Sequence, residues 1–138
     1  MTIDENSRKN LVTYRIEQSF KTAEDAEFLI SQGKLHAAVN RIYYSMFYML
    51  TALALLYKFQ TSKHLQLIGW FNKTFIKENI FERKYFKILD EIFKKRQKGD
   101  YEAFVSFNDE EVLEMLAEMK DFISTIEKFI LDRINDNQ

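Results

Sequence analysis

The stretch that decides the fold is AAVNRIYYSMFYMLTALALLYKF, from Ala37 to Phe59. It contains no Gly, no Pro and no charged residue between Arg41 and Lys58. Apolar side chains recur at the i, i+3, i+4 and i+7 spacing of one helix face, at Val39, Ile42, Tyr43, Met46, Met49, Leu53 and Tyr57. A helix this apolar has to be buried on more than one side. The stretch therefore predicts a central helix that is covered by its own chain, by a partner chain, or by both.

A second stripe of the same helix is polar. At helical spacing it carries a guanidinium, two phenols and two hydroxyls, on Arg41, Tyr44, Ser45, Tyr48 and Thr51. One interpretation is a hydrogen-bonded seam between two copies of the protein, formed by Arg41, Tyr44 and Tyr48. The other is that these side chains line a cleft for a nucleic acid or a nucleotide.

Composition limits the fold and the class of protein. A chain of 138 residues with 46% hydrophobic content can bury the core of one domain. With no Pro and only three Gly, long helices joined by short loops are expected. The absence of Cys excludes disulfides and thiolate chemistry. The polar start MTIDENSRKN does not fit a secretory signal, and the polar stripe makes Ala37 to Tyr57 a poor membrane span. We expect a cytoplasmic protein without a membrane segment.

Apolar periodicity and capping residues predict helices and no strand. The expected helices run from Asn6 or Ser7 to Ser31, from Lys34 or Leu35 through the central stretch, from Lys63 to Lys77, from Phe81 to Lys98, and from Asp109 to Ile134. The residues expected to cap or end them are Asn6 or Ser7, Gly33, Thr61 or Ser62, Gly99, and Asn108 with Glu111 as a capping box. We predict an all-α, up-and-down bundle of four to five helices, one domain over residues 1–138.

Charge is spread unevenly along the chain. Residues 63–98 contain ten Lys or Arg and four Asp or Glu. Residues 100–138 contain three Lys or Arg and eleven Asp or Glu. A basic middle segment can bind phosphate groups or an acidic partner. The alternative is that the basic and the acidic helices pack side by side within the fold.

One charged residue interrupts the apolar pattern of the fourth helix. The apolar stripe of that helix consists of Tyr85, Leu89 and Ile92. The next position on it is Arg96, and Asp100 and Tyr101 follow the expected helix end at Gly99. Arg96 either pairs with Asp100 and locks the turn, or holds a phosphate. Arg96, Asp100 and Tyr101 are therefore the candidate functional residues of this segment.

Several signatures of catalysis are absent from the sequence. It has no glycine-rich phosphate loop and no Glu-x-x-His or His-x-x-x-His pair for a metal. Its two histidines, His36 and His64, are far apart in the chain. We predict no metal site and no cofactor. His64, at the start of the third helix, is either a capping or packing side chain or a base.

These motifs together resemble the HEPN superfamily of helical domains. The resemblance rests on the central-helix motif, on Lys63-His64, and on Phe93-x-x-Arg96-x-x-x-Asp100-Tyr101, and it covers about residues 8–132. It is closest to the small stand-alone proteins encoded beside minimal nucleotidyltransferases. The resemblance implies a bundle of four to five helices that forms a homodimer around its central helices.

The resemblance also implies an activity, with one departure. Active HEPN proteins cleave RNA without a metal, using an Arg-x(4–6)-His motif brought together from two protomers. Arg96 matches the arginine, but Tyr101 stands where the histidine is expected. A phenol has a reference pKa of about 10, so forming a phenolate at pH 7 costs about 4 kcal/mol. Tyr101, His64 and Asp100 remain the candidates for proton transfer.

Two functions follow as hypotheses. The first is a toxin-like, metal-independent endoribonuclease with Arg96 on the scissile phosphate. The second is a non-catalytic helical module that binds a nucleotide or a protein partner. Under both, the resemblance implies a nucleotidyltransferase partner in a toxin-antitoxin-type pair. In related pairs the partner modifies a tyrosine near the arginine motif, which makes Tyr101 the candidate modification site.

Overall fold

The computed structural model describes residues 4–136, and every regular element within them is helical. The helices are α1 (Glu5–Ser31), α2 (Leu35–Leu56), α3 (His64–Phe71), α4 (Arg83–Tyr101) and α5 (Asp109–Asp136), and a π-helical turn (Asn72–Ile76) extends α3. α1 and α2 form a hairpin, and α3, α4 and α5 also pack on α2. The predicted all-α bundle is confirmed.

The apolar stripe of α2 forms the centre of the core. Each of its members within the helix is at most 1% exposed, namely Val39, Ile42, Tyr43, Met46, Met49 and Leu53. Burying a side chain of this size stabilises the fold by about 1.5–3 kcal/mol relative to leaving it in water. Four other helices of the same chain cover α2. One chain therefore supplies most of the burial that the sequence demands.

The ends of α1 and α2 differ in detail from the sequence prediction. Asp4 caps α1, since its Oδ1 accepts a hydrogen bond of 2.8 Å from the backbone N–H of Ser7, so the predicted cap at Asn6 or Ser7 is wrong. Gly33 follows the end of α1 with a φ of +72°, as predicted. α2 ends at Leu56, before Phe59, because Lys58 adopts a φ of +60°.

Ser45 is not part of a polar surface. Its Oγ donates a hydrogen bond of 2.8 Å to the backbone oxygen of Ser19, and Ser19 Oγ donates one of 2.7 Å to the backbone oxygen of Ser45. Both residues are fully buried. The reciprocal pair satisfies two hydroxyls and joins α1 to α2. The sequence pattern placed Ser45 on the polar stripe of α2 with Tyr44 and Tyr48, and the structure corrects this by burying Ser45 against α1.

The third helix is shorter and more irregular than predicted. Lys63 precedes it, and no side chain caps its first turn. Thr61 Oγ1 instead accepts a hydrogen bond of 3.1 Å from the backbone N–H of Lys63, which shapes the preceding loop. The α-helix ends at Phe71, and the π-helical turn that follows carries Phe75, so the predicted continuous helix to Lys77 is wrong. Phe71 and Phe75 both pack in the core.

α4 begins at Arg83 rather than Phe81 and continues past Gly99 to Tyr101. Gly99 therefore does not end the helix, and Asp100 lies in its last turn rather than in a loop. A Cβ at Gly99 would lie 2.9 Å from Cε2 of Phe107, closer than real Cβ contacts. The glycine is thus explained by the close approach of the loop between α4 and α5.

The start of α5 matches the prediction, because Asn108 Oδ1 accepts a hydrogen bond of 2.8 Å from the backbone N–H of Glu111. Two ion pairs connect the basic α4 to the acidic α5. Lys95 Nζ lies 3.5 Å from Glu111 Oε1, and Lys84 Nζ lies 3.4 Å from Asp121 Oδ2. Part of the charge asymmetry is therefore balanced by side-by-side packing. Such surface pairs contribute at most about 1 kcal/mol each to stability.

Candidate functional site

An open cleft of about 500 Å³ lies where α2, α3 and α4 meet. The lining residues relevant to function are Tyr44 from α2, His64 and Leu65 from α3, and Phe93, Arg96 and Tyr101 from α4. Tyr101 is 73% exposed at the rim. The fold thus brings together Arg96, Tyr44, His64 and Tyr101, four of the residues that the sequence singled out.

Among residues 4–136, Arg96 is the one arginine that borders this cleft. Its side chain is only 11% exposed, and the guanidinium carbon lies 5.4, 5.1 and 5.7 Å from the ring centres of Tyr43, Tyr44 and Tyr101. Nη2 donates a hydrogen bond of 3.0 Å to the Tyr44 hydroxyl. Aromatic faces attract a cation and fix the plane of a guanidinium. Arg96 is therefore held in one orientation at the base of the cleft.

Asp100 is the counter-ion of Arg96. Its Oδ2 lies 2.9 Å from Nε, but the N–H of Nε is not aimed at this oxygen, so the contact is an ion pair without a hydrogen bond. The same oxygen accepts a hydrogen bond of 3.0 Å from Nδ2 of Asn40. Nη1 of Arg96 makes no hydrogen bond within the described part of the chain and is not fully buried. The predicted pairing with Asp100 is confirmed as a contact, and it leaves Nη1 available to a ligand.

Asn40 is a residue that the sequence prediction missed. Its Oδ1 accepts hydrogen bonds of 3.1 and 2.7 Å from Nε and Nη2 of Arg41, while its amide donates to Asp100. Arg41 also lies 5.1 Å from the ring centre of Tyr44. Arg41 does not border the cleft itself. It contacts the site indirectly, through its hydrogen bonds to Asn40 and its position over the ring of Tyr44. The i, i+4 spacing of Asn40 and Tyr44 was a signal that could have identified Asn40.

His64 is the first residue of α3 and faces the cleft. Its Nδ1 lies 2.7 Å from the hydroxyl of Tyr43, and its ring stacks on Phe47 with centres 4.1 Å apart and planes 12° apart. Partial burial lowers the pKa of His64, and the positive charge of Arg96 lowers it further. The imidazole is therefore mainly neutral at pH 7. It makes no helix-capping hydrogen bond, but its ring packs on Phe47 and Tyr43, so the packing half of the structural interpretation is confirmed and the capping half is wrong.

Tyr43 was predicted only as a core residue. It is fully buried, and this burial raises the pKa of its phenol well above the usual value, although the charge of Arg96 acts in the opposite direction. The phenol therefore stays protonated over the physiological pH range. The phenol hydroxyl is a buried polar contact for His64. Because Tyr43 lies on the apolar stripe of α2, the sequence indicated only a core position for it.

A second cleft of about 350 Å³ begins on the other side of His64. Its lining includes Arg15 from α1 and Phe47, Tyr48 and Thr51 from α2. Tyr48 therefore belongs to this second cleft, not to the one around Arg96. Arg15 was not predicted because it lies on the polar face of α1, where nothing distinguishes it from other surface charges.

The described residues contain neither a cluster of metal ligands nor a membrane-spanning helix. Among residues 4–136, no three His, Asp or Glu side chains lie close enough together to hold a metal ion. No helix in the same range is both long and apolar enough to cross a membrane.

The fold and the cleft define a class of protein, a helical bundle with a buried arginine among aromatic rings at the junction of three helices. A family model described as the HEPN domain matches residues 12–129. This chain belongs to the HEPN domain family, as the sequence motifs indicated.

Similar proteins come from Thermotoga maritima and Methanocaldococcus jannaschii. The chain is 33% identical over 127 residues to a "UPF0332 protein" of Thermotoga maritima, covering 92% of this chain and 96% of the relative. It is 33% identical over 118 residues to a protein of Methanocaldococcus jannaschii named "Putative toxin", covering 86% and 80%. A second protein with that name from the same organism is 28% identical over 113 residues, covering 82% and 84%.

Proposed function

We propose that this protein is a metal-independent endoribonuclease that cleaves single-stranded RNA and acts as the toxin of a toxin-antitoxin-type pair. The observation that carries the proposal is Arg96, a nearly buried guanidinium bordering an open cleft, whose Nη1 makes no hydrogen bond within residues 4–136. Preorganised cationic donors stabilise the charge that develops on phosphate oxygens during transesterification. The relatives named as toxins agree with a toxic activity.

The shape of the site favours single-stranded RNA over a duplex. Bases that are not paired can stack on aromatic side chains, and Tyr44, Phe93 and Tyr101 border the cleft. Arg15 borders the adjoining cleft beyond His64. An RNA strand that passes from one cleft to the other would have the guanidinium of Arg96 near its phosphates on one side of His64 and that of Arg15 on the other.

The partners are part of the same proposal. A second copy of the chain would cover the exposed apolar residues at and near the cleft rim, where Leu65 is 69% and Tyr101 73% exposed and Phe104 is fully exposed. A small nucleotidyltransferase would be the antitoxin and would silence the ribonuclease. Tyr101 is an exposed phenol 5.7 Å from the Arg96 guanidinium, so attaching a nucleotide there would obstruct the cleft.

The experiment is cleavage of a fluorescent single-stranded RNA by the purified protein in excess EDTA. Wild type should cleave the RNA but not DNA of the same sequence, which lacks the 2′-hydroxyl. Arg96→Ala should lose about 100-fold or more in rate, as removal of one charge-stabilising donor does elsewhere. Lys94→Ala is the matched control, because Lys94 is an exposed cation on the same helix. No cleavage by wild type, or equal loss in both variants, would reject the ribonuclease.

A second candidate function is a non-catalytic binding module, and one pair of observations favours it. Tyr101 replaces the histidine of the family motif, and Asp100 already neutralises Arg96. In that case wild type would bind the RNA or a nucleotide without cleaving it. Tyr101→His then separates the two candidates: a gain of cleavage indicates a competent cleft that lacks a proton-transfer group, whereas binding without any gain supports the module.

A further inference from the structure

We propose that His64 is the base that takes the proton from the attacking ribose 2′-hydroxyl, in place of the histidine that is missing at Tyr101. This inference rests on the proposed ribonuclease function and names the residue that completes its site. His64 is more than thirty residues before Arg96 in the sequence, and the fold places both side chains on the same cleft.

Three contacts hold the imidazole in a position suited to this role. Nδ1 lies 2.7 Å from the Tyr43 hydroxyl, and the ring is stacked on Phe47 and on Tyr43. Nε2 makes no hydrogen bond to any residue in the part of the chain that the structure describes. In the tautomer that can act as a base, Nδ1–H donates to the Tyr43 oxygen and Nε2 carries the free electron pair. A buried partner on one ring nitrogen thus orients the other toward solvent and substrate.

The proposed step balances with the groups present. The ribose 2′-oxygen forms a bond to the adjacent phosphorus, and the bond from phosphorus to the 5′-oxygen breaks. Nε2 of His64 takes the 2′-hydroxyl proton, and the leaving 5′-oxygen takes a proton from water. The imidazolium then returns its proton to the hydroxide formed in that exchange. Arg96 holds a non-bridging oxygen throughout, and the products are a 2′,3′-cyclic phosphate and a 5′-hydroxyl end.

The electrostatic surroundings agree with a base rather than an acid. The titratable or charged groups near His64 are Tyr43, Tyr44 and Tyr48 from α2, Arg96 and Tyr101 from α4, Arg15 from α1 and the preceding Lys63. No carboxylate of residues 4–136 is among them, so nothing there raises the pKa of the imidazole. Burial and Arg96 lower that pKa, which keeps the imidazole unprotonated at neutral pH. The other candidate, the Asp100 carboxylate, faces Arg96 and accepts from Asn40.

The test uses the full chain, a fluorescent single-stranded RNA and EDTA. His64→Ala should lower kcat by about 100-fold or more with a small change in KM, the usual contribution of a positioned base. Added imidazole should restore part of the rate in His64→Ala, because the space beside Phe47 can admit it. His36→Gln is the control, since this exposed histidine bonds to the Gly99 backbone and does not border the cleft. Circular dichroism verifies the fold of each variant.

The pH profile supplies a readout that a purely structural role would not give. With a base of lowered pKa, the wild-type rate should rise with pH with its midpoint below about pH 6.5, the ordinary pKa of histidine, whereas an acid would give a falling profile. If wild type cleaves RNA and His64→Ala retains the rate, or loses it without imidazole rescue, the assignment to His64 is wrong and the ribonuclease stands. If wild type does not cleave RNA at all, both proposals fail.

Discussion

The hydroxyl of Tyr44 accepts a hydrogen bond of 3.0 Å from Nη2 of Arg96, which joins the central helix α2 to the last turns of α4. The same ring lies 5.1 Å from the guanidinium carbon, so one side chain supplies both an acceptor and an aromatic face. The orientation of Arg96 therefore depends on a residue 52 positions earlier in the chain.

Tyr44→Phe should loosen Arg96 while keeping the ring beneath it. Loss of a hydrogen bond to a charged group costs about 1.5–3 kcal/mol, so we expect RNA affinity to fall by roughly 10- to 100-fold. Fluorescence anisotropy with a single-stranded RNA measures this. Tyr14→Phe removes an exposed hydroxyl on α1 and is the control. Equal affinities of Tyr44→Phe and wild type would show that this hydrogen bond does not position Arg96 for binding.

Asp100→Asn tests what the counter-ion of Arg96 contributes. Removing the carboxylate charge should strengthen RNA binding several-fold, since Arg96 is no longer neutralised, and should lower stability by an amount on the order of 1 kcal/mol. Asp90→Asn is the matched control, because Asp90 forms an exposed i, i+4 pair with Lys94 on the same helix. Anisotropy and urea unfolding measure the two effects. A loss of cleavage with unchanged stability would instead assign Asp100 a catalytic role.

Stability should depend on pH through His64. Burial and Arg96 lower its pKa in the folded state, so the unfolded chain binds the proton more readily. The contribution of the neutral imidazole is fully present above the unfolded pKa of about 6.5 and is lost as pH falls through the lower folded pKa. The difference in melting temperature between wild type and His64→Gln should therefore shrink between pH 7 and pH 5. A constant difference over that range would contradict the lowered pKa.

Replacing Gly69 and Gly99 by alanine should change the stability of the protein in opposite directions. Gly69 lies within α3, and a methyl group added there would meet no atom within 4 Å, so Gly69→Ala should stabilise the protein by about 0.5–1 kcal/mol. Gly99→Ala would place its Cβ 2.9 Å from Phe107, and displacing that ring should outweigh the gain in helix propensity, for a net loss on the order of 1 kcal/mol. Urea unfolding compares them. Equal stabilisation by both would show that Phe107 moves aside freely.

A homodimer through the cleft side of the bundle is the last prediction. Light scattering should give a mass of twice 16.6 kDa at micromolar concentration. Leu65→Asp should reduce that mass to the monomer, because it places a charge on an apolar residue at the cleft rim that is 69% exposed. Leu131→Asp on α5 is the control, with an exposed leucine elsewhere on the surface. A wild-type monomer, or equal effects of both substitutions, would contradict this interface.

The sequence by itself determined the fold class, the central helix and the arginine of the site. Local spacing was sufficient for this, because a helix side chain repeats its direction every 3.6 residues and an arginine on an apolar stripe must lie near the core. Helix ends were less predictable. Gly99 looked like a stop signal, but its role is to admit Phe107, a residue from the following loop. The sequence alone does not distinguish a glycine that is required for close packing from a glycine that ends a helix.

Only the tertiary structure decided which residues complete the site. His64 and Arg96 lie on different helices, and Asn40 reaches Asp100 across 60 positions of the chain. Tyr43 looked like an ordinary core residue until its hydroxyl was placed 2.7 Å from His64. Such contacts depend on how helices are rotated and staggered against one another, and periodicity within one helix carries no information about its neighbours. Chemistry that needs several helices is therefore visible only in the folded chain.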